Sequence, residues 1–279
     1  MDVTIVTYEK YPDLAPDDRF FREALERAGA SVRAAIWSDP HVDWAETPVT
    51  VVRAVWDYPQ RFAEFQSWLD RVELQTQLVN TSKIVRWNMH KQYLADLAAR
   101  GIAIVPTVFV GAREEIDLVE TCRDRGWTDI VMKPCVGGSS FGTVRVSEPT
   151  LATVGASHLR ALQDLGDAMI QPYLTEIEDA AERAFIYIGG AFSHAVRKAP
   201  FNSSTVTTSE QLHAPSASEA AFARAVLDVL DEAPAYARVD VVPTAHGNVL
   251  MELELIEPTL YFEFEPRAAQ RLAELVWPA

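Results

Sequence analysis

Two groups of residues in this chain have types and spacing that could do chemistry. The first is KPCVGGSSFGTVRV, Lys133 to Val146. Glycines let backbone N–H groups approach phosphate oxygens, and serine hydroxyls add donors. A lysine ammonium adds a point charge. Lys133, Gly137, Gly138, Ser139 and Ser140 are therefore candidate phosphate contacts. The lysine precedes the glycines, so this is neither a Walker loop nor a GxGxxG turn opening a helix. An ordinary hairpin turn is the alternative reading.

The second group is acidic: ARVDVV at 237–242, then VLMELELIEP at 249–258. Alternate residues of a strand share a face, so Glu252 and Glu254 point one way and Leu253 and Leu255 the other. Asp240 lies within an apolar strand, where a charged carboxylate is costly unless it is paired or binds metal. Three carboxylates on neighbouring strands form an oxygen-only site that suits Mg2+, with Mn2+ as the other candidate ion. The alternative is a solvated sheet face with Glu alternating outward.

Weaker signals surround these two. In MIQPYLTEIE (169–178), Gln171 could hydrogen-bond a purine edge and Glu178 a sugar hydroxyl. In VVRAVWDYP (51–59), Arg53, Trp56, Asp57 and Tyr58 follow a strand, and strand ends of α/β sheets are where ligands bind. Arg53 is a candidate for a substrate carboxylate, with Trp56 and Asp57 beside it; aromatic packing at a junction is the alternative. Lys91 is placed in the first turn of a helix, where a lysine is ordinarily solvated. No HExxH occurs, and the Gly-x-Ser-x-Gly spacing of Gly138, Ser140 and Gly142 is no nucleophile elbow, because a strand rather than a helix is expected after it. Cys135 lacks a recognisable His or Asn partner for nucleophilic work.

The elements that must hold these residues alternate between short apolar runs and helical stripes. Val3–Thr7, Ser31–Ala35 and Thr50–Val55 are expected strands, and Asp17–Ala28 and Arg61–Val72 expected helices. This β-α-β order implies a parallel sheet. A second unit starts near Lys83, with helices expected at Asn88–Arg100, Glu114–Arg125 and Pro149–Leu165 and strands at Ala103–Phe109, Asp129–Lys133 and Thr143–Val146. From Ala168 the chain is β-rich. Strands are expected at Ala168–Leu174, Arg183–Ile188, Ala191–Arg197, Ala237–Val242 and Val249–Ile256. Gly189-Gly190 makes a hairpin, and helices are expected at Ser216–Leu230 and Arg267–Leu275. The Ser/Thr-rich stretch 202–209 reads as a loop. No internal repeat is present.

The chain has 279 residues, 48% hydrophobic and 23% charged, which suffices for a core without staples. Lys and Arg number 25 against 40 Asp and Glu, a net charge of −15. Nucleic acid and anionic membranes are excluded as partners on average field, and a nucleotide would need a local cationic pocket or a metal. Cys122 and Cys135 are the only cysteines and form no Cys-x-x-Cys, excluding a disulfide scaffold and a cysteine zinc site. The opening MDVTIVTYEKYPD has no signal-peptide character, and no apolar run reaches membrane length; a cytoplasmic protein is expected.

The order of these features resembles the ATP-grasp superfamily over about Lys83 to Glu257, with a preceding α/β domain. RxxWDYP, VRWNMHKQYL, FSHAVRK and MELELIEPTL are similar to the group containing the cyclo-ligase of cycloserine biosynthesis. The resemblance implies an α/β chain, α+β in its C-terminal half. The division would be 1–82 (pre-ATP-grasp domain), 83–168 (central subdomain) and 169–279 (C-terminal subdomain with the metal site). It also implies an ADP-forming ligase that activates a small amino-acid-like carboxylate as an acyl phosphate for attack by an amine, within or between molecules. An ATP-binding protein without ligase activity, or a small-molecule kinase, are the alternatives. Lys91 and Lys133 would contact ATP phosphates under the 137–142 loop. Gln171, Tyr173 and Leu174 would line the adenine pocket, and Glu178 would bind ribose. Asp240, Glu252 and Glu254 would hold Mg2+, and Arg197 would stabilise the transferred phosphoryl group. Many relatives carry Asn where Glu254 stands, which adds negative charge here. Ser139, Ser140 and the 202–208 loop are lid candidates by position, and a homodimer is common in the family.

Overall fold

The computed structural model describes residues 1–138, 140–198 and 210–278. Ser139 and the 202–208 loop lie outside the described residues. The chain builds three sheets. The first is parallel and contains β1 (Val3–Thr7), β2 (Val32–Ile36), β3 (Val49–Val52) and β4 (Gln77–Val79) in the order β2-β1-β3-β4. β1 is buried on both faces, as a central parallel strand must be. Helix α1 (Pro16–Arg27) opens with Pro at its first turn and Asp17 and Asp18 at its positive end, and buries Phe21, Ala24 and Leu25. Helix α2 (Phe62–Val72) covers the other face with Phe65, Trp68, Leu69 and Val72 against Trp37 and Trp44.

The second sheet is antiparallel: β5 (Val108–Val110), β6 (Asp129–Pro134), β7 (Val144–Ser147) and β8 (Ala168–Pro172) in the order β5-β8-β6-β7. The expected boundary at 168/169 thus falls inside a strand of this sheet, and the chain changes sheet only after Pro172. Two preceding helices, α3 (Ser82–Asn88) and α4 (Tyr93–Ala99), replace the single expected helix Asn88–Arg100. The break places Lys91 in a turn whose backbone N–H donates to the Cys135 carbonyl at 2.8 Å. Helices α5 (Leu118–Asp124) and α6 (Ala156–Gln163) pack on Ile130, Met132, Ala168 and Ile170. Pleating turns Val131, Lys133, Met169 and Gln171 to the opposite face, because Val131 pairs Gln171 and Lys133 pairs Met169.

After the short α7 (Glu176–Ala180) comes the third sheet, antiparallel β11-β10-β9-β12-β13. Its strands are β9 (Arg183–Ile188), β10 (Ala191–Arg197), β11 (Gln211–His213), β12 (Tyr236–Thr244) and β13 (Gly247–Glu254). Gly189 and Gly190 turn the β9–β10 hairpin with φ of 58° and 74°, a left-handed pair that glycine adopts without cost. Helix α8 (Ala217–Asp228) starts at a reciprocal cap between Ser216 and Glu219. Helix α9 (Pro266–Val276) packs with α1, tying the chain's two ends into one core. The parallel N-terminal sheet and the antiparallel C-terminal half both match the fold class read from sequence. Among the described residues no helix is long and apolar enough to cross a membrane.

Candidate active site

The register between β12 and β13 assembles the acidic cluster. Arg238 stands opposite Glu254 and Asp240 opposite Glu252, so all four side chains share one face of the third sheet. A bulge after Asp240 shifts the register beyond the cluster. One oxygen each of Asp240, Glu252 and Glu254 lies within 4.8 Å of the others. The donor set is oxygen only, which fits a hard divalent cation such as Mg2+. These carboxylates also have cationic partners. Lys198 reaches Asp240 at 3.0 Å, Arg238 grips Asp240 at 3.0 Å and also Glu254, and Lys91 bonds Glu252. A metal bound here would compete with these side-chain cations for the same oxygens.

Charge sets the protonation of the cluster. Burial opposes ionisation of Asp240, yet Arg238 and Lys198 hold it at about 2. Burial also opposes ionisation of Glu252, but Lys91 and Lys133 keep its pKa below the usual value. Glu254 rises to about 7 through burial and the neighbouring Glu252 and Asp240, against the pull of Arg238. Lys133 is not among the residues lining the cavity that adjoins the cluster, but Glu252 acts on it, and burial lowers its pKa despite that carboxylate. Its ammonium has no hydrogen-bond partner among the described residues, and so it is available to an anionic ligand.

A polar cavity of about 240 Å³ adjoins the cluster. Lys91, Gly137 and Gly138 form one wall, Arg238, Glu252 and Glu254 another, and Trp56, Tyr58, Glu257 and Thr259 a third. Lys91 Nζ donates to the Gly137 carbonyl at 2.9 Å, which ties the glycine loop to the acidic cluster. Ser140 is exposed at φ 58° in that loop.

The structure corrects three expectations. Arg197 turns away from the cluster and donates to the carbonyls of Asp179 and Ala180 at 2.7 and 3.2 Å; Arg238 and Lys198 are the cations that meet the carboxylates. Arg53 is 2% exposed and bound to Asp18 at 2.7 Å and to the Pro258 carbonyl at 2.8 Å, so it is no seat for a substrate carboxylate. Asp57 accepts from Trp37 Nε1 at 2.8 Å and does not line the cavity. Trp56 does line it, while its indole N–H holds the Glu257 carbonyl at 2.9 Å. Arg53 and Trp56 thus position the 257–259 segment.

Gln171 is buried and donates to Thr107 Oγ1 at 2.9 Å. Tyr173 hydroxyl donates to Glu178 at 2.9 Å under the Arg145 guanidinium, 3.5 Å from the ring centre. Neither these residues nor Leu174 line the cavity. Cys135 is buried, and its thiol is pushed up to about 12, so it is no nucleophile at neutral pH. Sequence reading gave no role to Arg238, to Lys198 or to Glu182, which binds Lys198, and did not place Glu257 on the cavity. The signal for Arg238 was present, since a residue two before Asp240 in a strand must share its face.

Comparison with known proteins fits this geometry. A family described as the N-terminal domain of D-cycloserine synthetase DcsG matches residues 3–80. The cycloserine biosynthesis protein DcsG of Streptomyces lavendulae is 32% identical, covering 92% of each chain. The crystal structure of D-cycloserine synthetase DcsG superposes with a TM-score of 0.89 at 29% identity, covering 98% of both chains. D-alanine–D-alanine ligase from Bacillus anthracis shares the fold, with a TM-score of 0.69 at 13% identity over 99% of this chain and 96% of that one. Three sheets, a lysine-and-glycine wall and a carboxylate cluster on paired strands define a ligase of the ATP-grasp fold. Within that class, the chain belongs to the family of the cycloserine biosynthesis protein DcsG.

Proposed function

We propose that the chain activates a small amino-acid-like carboxylate with ATP as an acyl phosphate, which an amine of the same or a second molecule then attacks, releasing phosphate. The observation that carries this reading is the joining of phosphate-type and metal-type residues around one cavity by the Lys91 bridge between Gly137 and Glu252. Lys133 and Lys91, with the backbone of Gly137 and Gly138, would receive the ATP phosphates. Ser140 and Ser139 belong to the same loop in sequence. Gln171, Tyr173, Leu174 and Glu178 would take the adenosine end, with Glu178 exchanging its contact to Tyr173 for ribose. Asp240, Glu252 and Glu254 would hold Mg2+, or Mn2+ in its place, and that ion would neutralise phosphate oxygens.

The chain's own groups do the rest by position and charge. A dissociative phosphoryl transfer needs cations near the equatorial oxygens and little covalent help. Arg238 takes the role expected of Arg197, because its guanidinium lines the cavity beside Glu254. Trp56 and Tyr58 form the apolar side that keeps water from an acyl phosphate. The three sheets support a division into an N-terminal domain at 1–82, a central unit ending after Pro172, and a C-terminal unit. A cytoplasmic homodimer is proposed on the family resemblance, and sedimentation velocity tests the dimer. ADP release across amino acids and dipeptides, with mass spectrometry of products, tests the activity: substrate-dependent ADP is expected, and none with any compound contradicts it.

A further inference from the structure

Four carboxylates line or adjoin the cavity, and three have cationic partners: Asp240 with Arg238 and Lys198, Glu252 with Lys91, and Glu254 with Arg238. Glu257 is the exception. It lines the cavity, yet its carboxylate meets no Lys, Arg or His among the described residues. The undescribed residues (Ser139, 199–209 and Ala279) contain no Lys, Arg or His either, so no other side chain can supply that charge. Lys91 acts on Glu257 from a distance, but its ammonium is directed to Glu252 and the Gly137 carbonyl.

The backbone that carries Glu257 is held firmly. Trp56 Nε1 donates to the carbonyl of Glu257 itself, and Arg53 to the next carbonyl, Pro258. The Tyr236 hydroxyl donates to the preceding carbonyl, Ile256, at 2.9 Å. The carboxylate faces the phosphate-type loop, with Oε1 3.8 Å from where a side chain on Gly138 would begin. A fixed, half-buried carboxylate without a cation is costly unless a ligand completes it.

We propose that Glu257 is the seat for the ammonium group of the substrate, so that the enzyme selects small acids bearing a free, protonated amine close to the activated carboxylate. The inference rests on the ligase reading but concerns binding alone. Burial and the nearby Glu254 push the Glu257 carboxyl up to about 8, and an arriving ammonium supplies the missing charge. A charge-assisted hydrogen bond of this kind is worth roughly tenfold or more in affinity.

The test is calorimetry and thermal shift on the full chain loaded with Mg2+ and ADP. The probes are D-cycloserine and free alanine and serine of both hands, each compared with its N-acetyl form. At least one free amine should bind, its N-acetyl form should bind at least tenfold more weakly, and Glu257→Gln should lose the same factor while keeping its affinity for Mg2+ and ADP. Equal binding of an N-acetyl form, unchanged binding by Glu257→Gln, or no binding by any free amine would overturn the assignment. Should Glu257→Gln fail to fold, Glu257→Asp, which keeps the charge on a shorter arm, should weaken the free amines while leaving Mg2+ and ADP binding unchanged, and unchanged binding of the free amines would overturn the assignment. Because ADP formation is not the readout, ligase activity could stand while the Glu257 assignment fails.

Discussion

Asp240 is fully buried and stays ionised because two cations outweigh the cost of its burial. Asp240→Asn keeps the shape and removes the charge, and should lower ADP formation at least about a hundredfold, the scale of losing one positioned electrostatic group. Lys133→Ala should do the same by removing an ammonium that has no hydrogen-bond partner among the described residues. The two arginines separate structure from sequence reading. Arg238→Ala should cost about a hundredfold in kcat, whereas Arg197→Ala, which loses contacts to two backbone carbonyls, should stay within about threefold. Equal losses for both would return Arg197 to the site. Sequence alternation made Asp240, Glu252 and Glu254 legible together. It could not choose between Arg197 and Arg238, since which strand faces the cleft is a tertiary fact.

The elements of the site are joined by buried polar contacts. Asn88, at the end of α3, donates to the Leu253 carbonyl and accepts from the Leu255 N–H, both at 2.8 Å. Asn88→Ala leaves two backbone groups at the end of β13 unpaired, the Leu253 carbonyl and the Leu255 N–H, and should cost about 2–4 kcal/mol, a Tm drop of roughly 5–15 °C by calorimetry. Asp17 of α1 accepts from Leu260 and Phe262 N–H at 2.8 and 2.7 Å, and burial pushes its carboxyl up to about 6. A carboxyl whose folded pKa is raised holds its proton more tightly when folded. Its ionisation therefore costs stability as pH rises from about 4 to about 6. Across that window Asp17→Asn should gain stability relative to wild type, levelling off above the folded pKa; a difference independent of pH would contradict this. The ends of β9 and β10 were legible to the residue because apolar runs flank Gly189-Gly190. The break at Lys91 was not, because 88–100 has no Gly or Pro before Gly101. The turn is imposed by the Cys135 carbonyl and by Asn88's commitment to β13.

For the whole molecule, the charge of −15 sets a field that repels a free nucleotide. Binding of ATP should therefore depend on Mg2+. Chelation should abolish turnover and weaken nucleotide binding, and added Mg2+ should restore both, as calorimetry can read. The acid excess first argues against any polyanion, yet part of it is the carboxylate cluster on β12 and β13 proposed to hold a cation, so it speaks against nucleic acid without speaking against ATP. The parallel and antiparallel halves were legible from alternation and order. The membership of β8 in the second sheet was not, because strand pairing across more than thirty residues leaves no local trace. The most direct measurement incubates the enzyme with Mg2+, ATP and a panel of amino acids, with and without hydroxylamine, and follows ADP and hydroxamate together. ADP formed only with substrate, and hydroxamate appearing when hydroxylamine is present, are expected of an acyl phosphate. ADP accompanied by a stable phosphorylated product and no hydroxamate would contradict the proposed chemistry.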